Sequence, residues 1–320
     1  TKLSLVGGLI AVNVGQWASG FASVIGSLPA STTVYAATGY SCSVTCGRIS
    51  FALGLQGPCA SHDTACSSAL VAAHASMRAL QHVECESALT AGVNMILDPT
   101  TMVGNAIAGF TSVRGRSHTF DARADGYGRG EAVNAIVSQC VKDSPSTIAS
   151  IGGCAIRQDG RSASLTAPNG QAQQGLLSAS WIDAHVAPQD VSMIEAHGTG
   201  TALGDPIEVG ALSSAFSARR LTTETPLAVG SLKANAGHTE PGAGLAGLLK
   251  LLTQLHSDIV SPNAQLRRLN THLSSSLEGH ARFVLPVTAL LQTDSTTSMG
   301  GVSSFGYAGT IAHMIIYQTT

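Results

Sequence analysis

The strongest constraint on this chain is a rhythm in its second half. Short apolar runs of strand length alternate with longer helical patterns, and glycine or proline closes most of them. A strand pattern near Ala149–Ala155 leads to a helical pattern over Gln173–His185, bounded by Pro188. Val191–Ala196 reads as a strand, Pro206–Phe216 as a helix with proline in its first turn, and Leu227–Gly230 as a short strand. The apolar helix Gly242–His256, a strand at Arg282–Val287 and two closing strands around Val302–Phe305 and Ile311–Gln318 complete the series. Strands alternating with helices call for a parallel or mixed sheet covered on both faces, an α/β fold.

The first half repeats the plan with its opening absent. Leu3–Gly8 is expected to match the second strand of the plan, and Cys66–Val83 its third helix. Ser87–Met95 and Ala132–Val141 read as the strands that follow, with Asp98–Gly130 between them as a long loop rich in Gly, Arg and Asp. A loop of that length in a compact domain is more often functional than idle. Two similar halves, residues 1–146 and 147–320, are the expected organisation.

Composition narrows the class. With 44% hydrophobic and only 11% charged residues, the chain has too much apolar content for disorder. A net charge of -2 without basic or acidic blocks leaves no electrostatic footprint for nucleic acid or an anionic membrane surface. So few charges point to apolar surface covered by another subunit. Seven cysteines without paired spacing read as reduced thiols, and Cys42 and Cys46 lack the second ligand pair that zinc needs, so no metal is expected. No apolar run reaches transmembrane length. The start resembles a short signal peptide, but the polar, Gly-rich residues that follow favour a buried strand, and the cytoplasm is the expected location. The first residue is Thr rather than Met, which suggests an excerpt of a longer polypeptide.

Chemistry concentrates in four segments, three of them glycine-bearing. In Asp63-Thr64-Ala65-Cys66-Ser67-Ser68, a strand turns into a helix with Cys66 at the helix start, where unpaired N–H groups favour a thiolate. Glu195-Ala196-His197-Gly198-Thr199-Gly200-Thr201 puts His197 just past a strand end. Gly230-Ser231-Leu232-Lys233-Ala234-Asn235-Ala236-Gly237-His238 runs directly into the long apolar helix. His238 thus holds in the second half the place of Cys66 in the first, and a pseudo-twofold would bring the two helix starts face to face. The turn Ser303-Ser304-Phe305-Gly306-Tyr307-Ala308-Gly309-Thr310 can offer backbone N–H groups. One thiol and two imidazoles on such turns suit covalent thiol catalysis with two donors. The other cysteines and most other histidines read as core or solvent-facing residues.

These segments resemble the active-site motifs of β-ketoacyl synthases, and more narrowly the ketosynthase domain of type I modular polyketide synthases. Gly54-Leu55-Gln56-Gly57-Pro58, Phe120-Asp121, Asp125-Gly126-Tyr127, Arg129-Gly130-Glu131, Gln158-Asp159-Gly160-Arg161 and Leu165-Thr166-Ala167-Pro168-Asn169-Gly170 agree in the family's order. The resemblance runs along nearly the whole chain and lacks only the family's opening strand and helices. Residues 1–320 alone are therefore expected to be insoluble or inactive, with an unpaired sheet edge.

The resemblance implies a thiolase-like fold, two pseudo-symmetric halves in a five-layer α/β/α/β/α sandwich, usually a homodimer. It implies decarboxylative Claisen condensation of an acyl thioester with a malonyl-type extender, in polyketide or fatty acid biosynthesis. Cys66 is then the nucleophile, His197 and His238 the enolate donors, and Lys233 the residue that holds His238 and the local charge balance. Backbone N–H groups of Cys66 and Tyr307 form the oxyanion hole. Thr199, Thr201, Asn235, Phe305 and Glu131 support the pocket. No cofactor is bound; the phosphopantetheine arm of an acyl carrier protein brings the substrate, and acyltransferase and other synthase domains are neighbours. Tyr307, Ala308 and Ile311 depart from the family's Gly-Phe-Gly-Gly-Thr-Asn turn. An alanine restricts a backbone that glycine leaves free, which favours as alternative a non-condensing, ketosynthase-like partner acting in dimerisation or chain-length control. A cysteine hydrolase has no third group to support it.

Overall fold

Small residues decide where the helices lie. The computed structural model describes residues 2–17, 20–28, 38–140, 147–220, 226–277, 283–291 and 299–318. The chain divides into two compact units that exchange segments. One takes in Thr1–Ala108, Gly130–Ser144 and Thr239–Leu245; the other takes in Gly109–Arg129, Pro145–His238 and Ala246–Thr320.

In the first unit a 3-10 turn at Lys2–Leu5 precedes β1 (Ile10–Gly15), α1 (Phe21–Gly26), α2 (Cys42–Leu53), β2 (Cys59–His62), α3 (Ser68–Gln81), β3 (Ser87–Asn94), α4 (Pro99–Ile107) and β4 (Ala132–Gln139). The sheet order is β2-β1-β3-β4, with β4 antiparallel to β3 and the others parallel. Successive residues of a strand face opposite sides. Val12, Val14 and Ala91 accordingly pack with Cys46 of α2, while Ala11 and Ala88 pack with Ala79 and Leu80 of α3. Asn13 and Thr90, on the α3 side, both bond to Ser76 Oγ at 3.0 and 2.7 Å. At Gly15 a Cβ would lie 2.5 Å from Ala69 N, so the helix rests on the strand at backbone distance. Part of the chain's glycine content serves this close approach.

Two expectations from sequence are corrected here. The first strand is Ile10–Gly15 rather than Leu3–Gly8, because the chain turns at Gly7 (φ 81°), whose N–H bonds Gly54 O. The expected loop 98–130 contains α4, started by Pro99 at its first turn and by Asp98, whose carboxylate accepts the Thr100 N–H. Of the expected strand 132–141, residue 141 lies outside the described residues.

The second unit contains β5 (Ala149–Gln158), α5 (Gly170–Ala184), β6 (Val191–Glu195), α6 (Gly204–Arg220), β7 (Leu227–Gly230), α7 (Lys233–Ala236) and α8 (Ala243–Ser257), whose first residues belong to the other unit. It continues with β8 (Ile259–Val260), α9 (Thr271–Leu277), β9 (Phe283–Val284), β10 (Leu290–Leu291), β11 (Met299–Phe305) and β12 (Thr310–Gln318). β8 and β10 form a small antiparallel pair. The main sheet runs β5-β12-β11-β6-β7-β9. Reversed from β7, its order β7-β6-β11-β12 repeats β2-β1-β3-β4 in direction as well: three parallel strands, then one antiparallel. This repeat is the mark of the thiolase-like fold. One face carries Ile194, Val229 and Ile315 against Leu177 and Trp181 of α5 and Leu212 and Phe216 of α6. The opposite face takes α8, with the Leu251 side chain filling the space above Gly300.

The segment 109–129 is pinned within its unit by Asp121. Its carboxylate accepts the N–H groups of Arg267 and Arg268 at 2.7 and 2.9 Å and pairs with Arg123 at 2.7 Å. Burial alone would raise this carboxyl, yet Arg123 and the N–H donors hold it below the usual range.

Replacing Gly15 by Ala in the full-length protein forces a methyl against the Ser68–Ala69 backbone, the first turn of α3. Chemical denaturation is expected to show a loss of about 1–3 kcal/mol; an unchanged midpoint at constant slope would contradict the backbone contact.

Candidate active site

The turn before α3 presents Cys66. Ala65 holds a left-handed conformation (φ 54°), a costly geometry for a residue with a side chain. Hydrogen bonds fix it: the Ala65 N–H donates to Asp63 Oδ1 at 3.2 Å, the Thr64 N–H to Ser68 Oγ at 2.9 Å, and Ser68 Oγ to Ala65 O at 2.6 Å. Cys66 follows at once, buried, directly before the N-cap residue Ser67. In the order of elements Cys66 stands between β2 and α3, as His238 stands between β7 and α8.

In the second unit β6 ends on Glu195, and His197 lies two residues on. The N–H groups of His197 and Gly198 both donate to the Glu208 carboxylate, at 2.7 and 2.8 Å. Asp205, one turn earlier on α6, accepts from Gly200 at 3.0 Å and Phe120 at 2.8 Å. Two buried carboxylates on one helix therefore shape the His197–Thr201 turn. Gly198 (φ 43°) and Gly200 (φ 78°) are required there: a Cβ on either would lie 2.7 Å from Ser231 Cβ or His118 N, respectively.

The His197 ring has a defined tautomer. Its Nδ1 accepts the Phe305 N–H at 3.2 Å, which puts the ring proton on Nε2. The Phe305 ring lies 5.2 Å from it. His238 stands edge-on to His197, centroids 5.6 Å apart at 88°, with Tyr127 edge-on to its other side at 4.8 Å. The His238 N–H donates to Gly128 O at 2.7 Å. Burial first, and then the Lys233 cation, push both imidazoles well below their ordinary value, so both are neutral. His238 feels His197 and Arg129 in the same direction. Lys233 is itself buried at the start of α7. Burial pushes Glu208 up to about 7 and Asp205 up to about 6, against the pull of their N–H donors and of Lys233. Sequence reading gave these two carboxylates no role, although their three-residue spacing on a helix places them on one face.

The remaining residues divide. Thr199 is buried, its hydroxyl 3.2 Å from that of Thr201, which accepts the Gly204 N–H. Asn235 is exposed and donates to Pro262 O at 3.1 Å, so it braces the α7 turn. Glu131 belongs to the other unit, where it accepts the Ile96 N–H at 2.7 Å ahead of α4. The turn between β11 and β12 closes through Gly306 N–H to Thr310 O and Gly309 N–H to Gly306 O, which leaves the Tyr307 N–H out. Tyr307 is half exposed and its ring lies 5.7 Å from Phe110. The departures in this turn are accommodated. The left-handed residue is Gly309 (φ 93°), not Ala308, and Ile311 is fully buried in a cluster with Ala155, Leu176 and Phe305.

Two family descriptions match: Beta-ketoacyl synthase, N-terminal domain, over residues 2–143, and Beta-ketoacyl synthase, C-terminal domain, over residues 148–267. The chain belongs to the β-ketoacyl synthase family. It is 39% identical over 295 residues to a phenolphthiocerol/phthiocerol polyketide synthase of Mycobacterium tuberculosis, covering 91% of this chain and 13% of that protein. A second phenolphthiocerol/phthiocerol polyketide synthase polypeptide from the same organism is 38% identical over 320 residues, 98% of this chain and 20% of its own length. Among solved structures, the ketosynthase from module 6 of the bacillaene synthase of Bacillus subtilis 168 superposes with a TM-score of 0.88 at 31% identity, over 100% of this chain and 56% of that one. An oxazolomycin ketosynthase domain from Streptomyces albus JA3453 gives 0.86 at 30%, over 99% and 56%. The chain thus spans about half of each solved ketosynthase and a small part of the synthase polypeptides. Among the described residues no helix is long and apolar enough to cross a membrane.

Neutral imidazoles have a pH signature. Both folded values lie below the free value of 6.5, so the stability they contribute is complete above about pH 6.5 and is lost as pH falls towards the folded values. Glu208 and Asp205 act in the opposite sense, contributing below 4.5 and 3.8 and losing that contribution as pH rises through about 7 and about 6. Imidazole NMR resonances of His197 and His238 are expected to show no titration between about pH 8 and about pH 6, where a free histidine would protonate. A midpoint near 6.5 for either ring would contradict the burial.

Proposed function

We propose that this chain catalyses decarboxylative Claisen condensation between an acyl group and a malonyl-type extender, each carried as a thioester on the phosphopantetheine arm of an acyl carrier protein. The observation that carries the reading is the pair of neutral imidazoles beside a buried lysine, with the His197 proton fixed on Nε2. That arrangement suits stabilising an enolate oxygen, which needs N–H donors and no competing acid.

The Cys66 thiolate, favoured by the N–H groups of the first turn of α3, attacks the acyl thioester. Backbone N–H groups of Cys66 and Tyr307 hold the oxyanion, the carrier leaves as its thiolate, and an acyl-Cys66 thioester remains. The malonyl thioester then loses CO2, and its electron pair passes to an enolate whose oxygen takes hydrogen bonds from His197 Nε2–H and His238. The enolate carbon attacks the Cys66 thioester and the Cys66 thiolate departs, leaving the extended β-ketoacyl chain on the carrier. Burial, with the Lys233 field added to it, keeps both imidazoles unprotonated, and the same field favours the developing negative charge.

The partners that follow are an acyl carrier protein, neighbouring acyltransferase and other synthase domains, and a second copy of the chain, in the cytoplasm. The low proportion of charged residues supports the homodimer.

The test uses the full-length protein and two carriers. Incubation with an acyl carrier thioester is expected to leave an acyl adduct that maps to Cys66 by mass spectrometry and is lost in Cys66→Ala. Malonyl carrier should then yield the extended product. His197→Ala and His238→Ala are expected to keep the adduct and slow extension by about 10²–10³. An adduct without extension in the unaltered protein would overturn the condensing reading.

A further inference from the structure

One buried ion pair in the second unit takes no part in the chemistry above, yet it is bonded to the backbone that presents Lys233 and His238. Glu195, the last residue of β6, is almost fully buried. Its Oε2 accepts Lys250 Nζ of α8 at 2.6 Å, and its Oε1 accepts the N–H of Leu232 at 2.6 Å. Leu232 is the residue immediately before α7, the helical turn that begins with Lys233 and runs out at Gly237 to His238. A single carboxylate therefore joins β6, whose continuation carries His197, to the start of α7 and to α8.

The space for this pair is made by glycines. A Cβ at Gly247 would lie 2.9 Å from Glu195 Cγ, and one at Gly230 would lie 3.3 Å from Lys250 Nζ. The neighbouring N–H, that of Ser231, is held by Asn263 Oδ1 at 3.0 Å, while Asn263 Nδ2 donates to Val229 O and Pro286 O at 3.3 Å each. Two consecutive N–H groups ahead of Lys233 are thus gripped by side chains from different elements. An ion pair out of water is an expensive way to fill a core, and apolar side chains of the same volume are often as stable. What an apolar pair cannot do is accept the Leu232 N–H at a short, directed distance.

We propose that Glu195 and Lys250 are positioning residues: the lysine keeps the buried carboxylate in place, and the carboxylate fixes the α7 turn so that Lys233 and His238 face the enolate. The proposal rests on the condensing reading of the site. It assigns the pair to the decarboxylation and condensation steps and leaves acyl loading of Cys66 independent of it.

The decisive comparison removes the charge from both partners, so that neither variant leaves an orphaned ion. Glu195→Gln/Lys250→Met keeps an acceptor for the Leu232 N–H; Glu195→Ala/Lys250→Met has none. In the full-length protein, acyl loading of Cys66 is read by intact-protein mass spectrometry, and CO2 release from malonyl carrier by its kcat and KM. Loading is expected to match the unaltered protein in both variants. Decarboxylation kcat is expected to survive in the Gln variant and to fall by about tenfold to a hundredfold in the Ala variant, with KM little changed. Equal kcat in the two variants, or a parallel fall in loading and decarboxylation, would overturn the proposal. If the Ala variant does not fold, Lys250→Met alone against Glu195→Gln/Lys250→Met reads the same question: the double change is expected to restore kcat, and failure to restore it would overturn the proposal. Absence of decarboxylation in the unaltered protein would instead count against the condensing reading itself.

Discussion

The second unit is organised around keeping two histidines uncharged. His238 is fully buried and His197 half-buried, and burial first, then the Lys233 cation, disfavours a proton on either ring. Burying a lysine creates its own need for negative charge nearby. Asp205 and Glu208, both fully enclosed, lie within the field of Lys233, which lowers both carboxyls against the larger rise that burial causes. The same carboxylates accept four backbone N–H bonds from His197, Gly198, Gly200 and Phe120. Charge balance and loop geometry are therefore one arrangement. Neither carboxylate can be lost without both a changed field and a released turn.

Left-handed backbone at residues with side chains occurs near the reactive residues, at Ala65 and Phe120, and also at helix ends, at Val83, His185 and Asp258. Ala65 precedes Cys66 in a left-handed conformation, and Phe120, also left-handed (φ 62°), donates to Asp205 while its carbonyl accepts from Asn270. Left-handed conformations cost a residue with a side chain; bonds within the Asp63–Ser68 turn hold Ala65, and bonds to Asp205 and Asn270 hold Phe120. The glycines do something different. Gly198 and Gly200 allow the turn to pass close to Ser231 and His118, and Gly15 allows a helix to sit against a strand. Glycine is placed for proximity and the strained residues for direction.

Much of this was legible in the sequence because the fold repeats itself. The alternation of strands and helices marked the second half nearly element by element, and the place of Cys66 before α3 and of His238 before α8 followed from it. The errors have local causes. Leu3–Gly8 carries the apolar pattern of a strand, but Gly7 turns the chain and the buried strand starts at Ile10. Loop-like composition in 98–130 hid α4, although Asp98-Pro99 is a helix start in plain view. Segments 109–129 and 239–245 cluster away from their sequence neighbours because long-range bonds such as those of Asp121 hold them, and periodicity carries no such information. Asn235 and Glu131, expected to support the pocket, each make a hydrogen bond that braces a nearby turn.

The β11–β12 turn shows why a motif mismatch has to be read through backbone angles. Alanine in place of glycine matters where φ is positive or where a Cβ has no room, and the positive φ of this turn falls on Gly309. A Cβ there would lie 2.5 Å from Gln158 Nε2 and push that amide off its bond to Ala308 O, while the angle itself is what asks for glycine. At Ile311 the side chain is enclosed among Ala155, Leu176 and Phe305, where an amide would need partners that this cluster does not offer. Ile311 also steadies Phe305, the residue whose N–H sets the His197 tautomer. A substitution that looks like damage to the turn thus packs the residue on which the imidazole depends.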